Sequence, residues 1–193
     1  MKVIAALILG LVGASAHAQS FRIEERTDAL TRETYLQAKG MKLCQIKSAG
    51  FAAQCATLEM AWQPSHPELV ALRIEMPTLT SVLEVAVNVE GQVRRYGAEV
   101  PVTDINYDSG LQMAAGLGFS SANLFVLPVE VLRSLASDPD AAILRVSGTH
   151  TSIDFDFRRK AKMKGLPADE LRKFLESVEE EKAASGGPKA NAE

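Results

Sequence analysis

Histidine, serine and two aspartates recur at every second position in His150-Thr151-Ser152-Ile153-Asp154-Phe155-Asp156. These are the residue types of a nucleophile, its general base and the carboxylate that orients the base, so an exported hydrolase could use His150 with Asp154 or Asp156. The spacing works against that chemistry. Alternate residues of a strand stand about 6.6 Å apart and point in parallel, whereas a working relay needs contacts of about 2.6–3.2 Å. The expectation is a solvated strand face with Arg145 diagonally near Asp154. Glycosidase carboxylates or calcium ligands would also draw on Asp154 and Asp156. One Trp and three Tyr leave little surface for stacking a sugar, however, and no calcium loop accompanies the acids. Gly116-x-Gly118-x-x-Ser121 is a fragment of a dinucleotide fingerprint that lacks the third glycine and the following helix, so it reads as core strand. No catalytic residue and no cofactor is assigned on this basis.

The only two cysteines stand at the ends of CQIKSAGFAAQC, residues 44–55. Both ends alternate like strands, and a loop of Ala49-Gly50 sets Cys44 opposite Cys55. Opposed Cα atoms lie about 4.5–5.5 Å apart, inside the roughly 4.4–6.8 Å a disulfide spans. The same register puts Cys44, Ile46, Phe51, Ala53 and Cys55 on one apolar face, so the bridge is expected to point into the core. A redox pair favours Cys-x-x-Cys spacing. A zinc site needs about four ligands, and only His66 and His150 are added outside the leader. A structural disulfide and no metal site is the reading.

Arg158, Arg159, Lys160, Lys162 and Lys164 put five positive charges into seven residues. They form either a solvated linker balanced by Glu176, Glu179, Glu180 and Glu181, or a contact for a partner or an anionic surface, with Leu171, Phe174 and Leu175 adding apolar area. Nucleic acid is not an expected partner. The first 18 residues, a Lys, an apolar run and Ala16-His17-Ala18, read as a secretory signal peptide. Their removal takes Lys2 from 21 basic residues and leaves 20 against 24 acidic ones, a formal charge of −4. No later segment is long and apolar enough to span a membrane. The periplasm or the exterior is the expected compartment, where a disulfide persists.

Several elements position these groups. Trp62 ends a strand that Gln63-Pro64-Ser65-His66-Pro67 breaks. Val70, Leu72, Ile74 and Met76 share one face of the next. Leu83, Val85, Val87 and Val89 alternate with Glu84, Ala86, Asn88 and Glu90, and Glu90-Gly91-Gln92 turns the chain into a strand from Val93 to Val100. Leu111 to Phe119 alternates again, weakened by glycine. Pro128 to Ser137 is a helix with Pro128 at its first position, stopped by Asp138-Pro139-Asp140. Ile143 to Phe157 is a hairpin with Gly148-Thr149 as its loop, so that Leu144 faces Ile153. Pro167 and Asp169 open a C-terminal helix with the stripe Leu171, Phe174, Leu175 and Val178.

The fold expected is mainly β, an antiparallel sandwich or open barrel with one short internal helix and a C-terminal helix. Its divisions are a leader over 1–18, a β-rich domain over 19–158, a basic linker and amphipathic helix over 159–182, and a disordered tail over 183–193. In "LCQIKSAGFAAQC" and "LFVLPVEVLRSLASDPDAAILRVSG", with a leader and a strand-rich middle, the chain resembles the invasion-associated locus B family of small exported bacterial proteins. That resemblance implies a periplasmic or secreted β-rich protein of envelope or host-contact function, with no catalytic residues to carry over. The function expected is a non-enzymatic binding or accessory protein that contacts an envelope component or another protein, with peripheral membrane contact as a variant; the other reading is the small exported hydrolase.

Overall fold

Alternation along the strands builds two antiparallel sheets in this computed structural model, which describes residues 21–29, 32–45, 55–76, 82–89, 91–98, 121–148, 151–157 and 167–185. The elements are β1 (Arg22–Thr27), β2 (Thr34–Cys44), β3 (Cys55–Trp62), β4 (Leu69–Met76), β5 (Val82–Val89), β6 (Gln92–Gly97), β7 (Ser121–Pro128), α1 (Val129–Ser137), β8 (Ile143–Gly148), β9 (Ser152–Asp156) and α2 (Pro167–Ser185). One sheet runs β1-β2-β3-β4-β7 and the other β6-β5-β8-β9. Neither closes into a barrel among the described residues, so the sandwich form of the expectation holds. The leader, the Leu111 to Phe119 segment with Gly116 and Gly118, His150, and the run Arg158, Arg159, Lys160, Lys162 and Lys164 lie outside the described residues.

Every second residue of β3 and β4 faces one core: Ala56, Leu58, Met60 and Trp62 beside Val70, Leu72, Ile74 and Met76. Val85, Val87, Leu144, Val146, Ile153 and Phe155 of the other sheet meet them. Both helices close the same core. Val131, Leu132 and Leu135 of α1 are buried in it, and so are Leu171, Phe174, Leu175 and Val178 of α2. The C-terminal helix is therefore a structural member of the domain, and its apolar stripe is not available to a membrane or partner. That corrects the part assigned to Leu171, Phe174 and Leu175 beside the basic run. The helix also continues to Ser185, past the expected end at 182.

Two polar contacts fix the junctions. Asn123 of β7 donates its side-chain amide to the Val82 carbonyl and ties one sheet to the other. Trp62 donates Nε1 to the Pro67 carbonyl at 3.2 Å, which holds the proline-rich turn against the end of β3. Pro128 caps α1 from an extended conformation, φ −61° and ψ 140°, one residue outside the helix rather than as its first residue. Its fixed φ suits both the strand it ends and the helix it precedes.

Local shifts separate expected from observed registers. In β5 the pairing slips between Val82 and Glu84. Val82 then takes the core position, and Leu83, expected inside, is 44% exposed. In the β8–β9 hairpin Leu144 faces Phe155 and Arg145 faces Asp154, a shift of two residues from the Gly148-Thr149 loop. Gly148 N–H donates to the Thr151 carbonyl at 2.8 Å and so belongs to the strand. A shift of two preserves the faces, and Leu144, Val146, Ile153 and Phe155 are all buried as expected.

Candidate functional site

Cys44 and Cys55 are directly opposed in the β2–β3 ladder and bonded, with Cα atoms 4.0 Å apart, somewhat closer than the expected range. The pairing is as read from the sequence; the face is not. Met41 and Leu43 of β2 and Ala56 and Leu58 of β3 point into the core. Alternation then sends Cys44 and Cys55 to the opposite face, with exposed Lys42 and half-buried Thr57. The bridge is half-buried on the outside of the sheet, where it closes the hairpin from its solvent side.

That outer face holds the largest group of polar side chains withdrawn from water among the described residues. β2 changes phase at Gly40, whose φ is +84°; two residues there oppose Glu59 alone, the arrangement of a bulge with its glycine in the left-handed region. Before the bulge Leu36 and Ala38 face the core, so Gln37 and Lys39 face outward, yet Gln37 is 0% and Lys39 5% exposed. Glu59 is buried beside them. Arg73, opposite Glu59 on β4, lies 3.6 Å from it and 3.0 Å from Glu75. Ala61, Ala71 and Leu124 with Tyr35 form a small apolar cluster on the same face.

Neither amide atom of Gln37 has a hydrogen-bond partner, and Lys39 makes no ion pair among the described residues. Burial pushes the Lys39 ammonium below its ordinary value, reinforced by the charge of Arg26 and opposed by Glu59. A buried cation without a close counter-charge costs stability. Lys39→Met is therefore expected to raise unfolding free energy by about 1–3 kcal/mol at pH 7, read from urea denaturation. The pH dependence has a definite sign. Below its folded pKa the lysine is charged in both states and the penalty is complete; as pH rises from there toward the ordinary 10.5 the folded state releases its proton first and the wild type gains stability. The advantage of Lys39→Met shrinks over that window. An advantage unchanged up to pH 10.5 would show that Lys39 is not desolvated.

On the second sheet, Ser152 and Asp154 of the alternate-position motif are engaged with their neighbours across the hairpin. Arg145 donates Nε and Nη2 to the two Asp154 oxygens at 2.6 and 2.8 Å. These bonds hold the Asp154 carboxyl below the ordinary carboxylate range, against partial burial that pushes the other way. Ser152 donates its hydroxyl to Ser147 Oγ at 3.0 Å, not to a base. Asp156 follows Asp154 on β9 and is buried, 9% exposed. Asp154 is thus committed to a paired guanidinium, directly opposite rather than diagonal as expected. A carboxylate so paired is a poor proton acceptor, and a hydroxyl bonded to another hydroxyl is not activated.

An open groove of about 520 Å³ separates α1 from α2, lined by Arg133, Ala136, Arg172, Leu175, Glu176 and Glu180 among others. Its cations are already neutralised: Arg133 pairs with Glu130 and Glu179, and Arg172 pairs with Asp169 and donates to the Ala136 carbonyl. No group of three metal-ligating side chains occurs among the described residues, and no helix among them is long and apolar enough to cross a membrane. No protein family, curated protein or solved structure matches the chain.

Proposed function

We propose that the chain is a non-enzymatic binding or accessory protein of the bacterial envelope, exported to the periplasm or beyond. The observation that carries this reading is the state of the β8–β9 hairpin: two of the polar side chains that could begin a catalytic site are paired, Asp154 with Arg145 and Ser152 with Ser147. A half-buried disulfide on a sheet surface suits an oxidising compartment. The leader-like first 18 residues and the resemblance of the cysteine hairpin and the α1 region to the invasion-associated locus B family support the same reading. The partner is an envelope component or another protein, and the run Arg158, Arg159, Lys160, Lys162 and Lys164 is a contact for it or for an anionic surface.

The test expresses the whole chain in a bacterial host and recovers it by osmotic shock. The expected product lacks 18 residues, carries one intramolecular disulfide by non-reducing mass analysis, and retains a saturable envelope component. Hydrolysis of an ester or glycoside panel that disappears in His150→Ala would instead establish the hydrolase. Charge reversal at Lys160, Lys162 and Lys164 is expected to lower retention at low salt; unchanged retention removes the basic run from the binding surface.

A further inference from the structure

The second sheet ends at β6, and this edge differs from the others. β6 pairs with β5 from Glu84↔Gly97 to Val89↔Gln92 and with no other strand among the described residues. Five of its six residues are exposed, and Tyr96 packs in part against the core. Edge strands offer a row of backbone donors and acceptors to any extended chain that arrives. β6 has no proline or bulge among its residues to prevent this.

The side chains favour a particular arrival. The large hydrophobic residues left exposed among the described residues are Leu83, Val93 and Ile143. All three belong to this sheet, and Val93 on β6 is the most exposed, at 63%. Arg94 is exposed on the other side of the strand and has no ion pair among the described residues; Arg95 is held by Glu84 at 2.7 Å. A second copy is a poor occupant. Antiparallel pairing of β6 with itself over five or six of its residues sets Arg94 against Arg95, or one of them against its own copy, and like charges directly opposed are repulsive. The acidic strand β9 of another copy is no better, since Asp154 is taken by Arg145 and Asp156 is buried. On β1, an edge strand of the other sheet, both arginines are already paired, Arg22 and Arg26 with Glu24.

We propose that the edge of β6, unpaired among the described residues, is a strand-addition site for an extended, acidic segment of a partner polypeptide. The segment continues the second sheet, with backbone hydrogen bonds for affinity and alternate side chains for selection. Its acidic residues face Arg94, and its apolar residues pack beside Val93. This rests on the binding-protein reading above and names the surface and partner chemistry that it leaves open.

The experiment uses the full exported chain and three acetylated, fluorescein-labelled octapeptides: alternating Val-Glu, alternating Val-Lys, and Val-Glu with N-methyl groups at alternate positions. The Val-Glu peptide is expected to bind at low salt at least about tenfold more tightly than the other two. Amide exchange across 93–96 should slow on its addition, which attraction between side chains alone would not cause. Arg94→Glu, an exposed change whose folding is checked by its melting curve, is expected to invert the preference. Equal binding of the acidic and basic peptides, a preference unchanged in Arg94→Glu, or unprotected β6 amides each overturn the proposal. So does a concentration-dependent dimer in sedimentation whose β6 amides are protected without peptide. Envelope retention that survives Arg94→Glu, together with no peptide binding, removes the edge site and leaves the binding-protein reading standing. Peptide binding with no envelope partner does the reverse.

Discussion

Truncating Phe174 to alanine is expected to lower the unfolding free energy by about 3–5 kcal/mol, which for a chain of this size moves the melting temperature by roughly 10 °C. Phe174 is 0% exposed and lies in the core cluster with residues of both sheets. Its loss removes a large apolar volume from a site that the sheets and α1 hold open, so little collapse can offset the cavity. Leu171 and Val178, 1% and 0% exposed on the same stripe, should behave alike at smaller scale, about 2–4 and 1–3 kcal/mol for change to alanine. Glu176, exposed on the opposite side of the helix, should tolerate alanine within about 0.5 kcal/mol. Urea denaturation of the four variants distinguishes a structural helix from an appendage, for which Phe174→Ala would be as mild as Glu176→Ala. One cooperative transition in Phe174→Ala, monitored at Trp62 and by helix content together, is also expected, since α2 and the sheets share one core.

The same stripe was readable in the sequence because a helix with one buried face shows its period directly. The strands were less legible, for different reasons in each case. β7, SANLFVLP, is covered on both faces, with Leu124 outside and Phe125 inside both buried, so it lacks the alternation that marks a strand. β1, RIEERT, fails for the opposite reason: as a charged edge it has Ile23 as its one apolar residue, and that is only partly buried. The bulge in β2 did leave a signal, since Leu36 and Ala38 are in one phase and Met41 and Leu43 in the other, with Gly40 between them. The face of the disulfide was misleading because near the turn the residues in phase with the cysteines, Ile46, Phe51 and Ala53, are apolar, whereas Gln45, Lys47 and Gln54 of the other phase are polar. Lys42, Thr57 and Glu59, in phase with the cysteines, were the residues that could have settled it. Burial of Gln37, Lys39 and Glu59 had no local signature at all. Polar residues alternating with a core face read as solvated unless the tertiary structure covers them. Of the candidate site, the pairing of Asp154 with Arg145 was approached by residue parity, whereas the β6 edge depends on strand order across the sheet.

Removing the Cys44–Cys55 bridge, by reduction or by changing both residues to serine, is expected to cost about 3 kcal/mol, the loop-closure entropy returned to the unfolded chain over a segment of this length. The folded state should persist. Lys42↔Thr57, Leu43↔Ala56 and Met41↔Leu58 continue the ladder inward from the bridge, and Leu43 and Ala56, both 0% exposed, anchor it from the core side without help from sulfur. The outward position has a kinetic consequence. A bridge buried in the core would be reached by dithiothreitol only through global unfolding, so its reduction rate would fall with every mutation or ligand that stabilises the fold. A half-buried bridge on the sheet surface is open to attack in the folded protein. Its reduction rate should rise in proportion to thiolate concentration and stay the same, within about twofold, when Lys39→Met raises global stability. The measurement is thiol appearance by mass spectrometry under native conditions at several dithiothreitol concentrations, alongside denaturant midpoints before and after reduction. A rate that plateaus at the global unfolding rate, and slows in Lys39→Met, would return the bridge to the interior and reverse the face assignment on which the outer polar row depends.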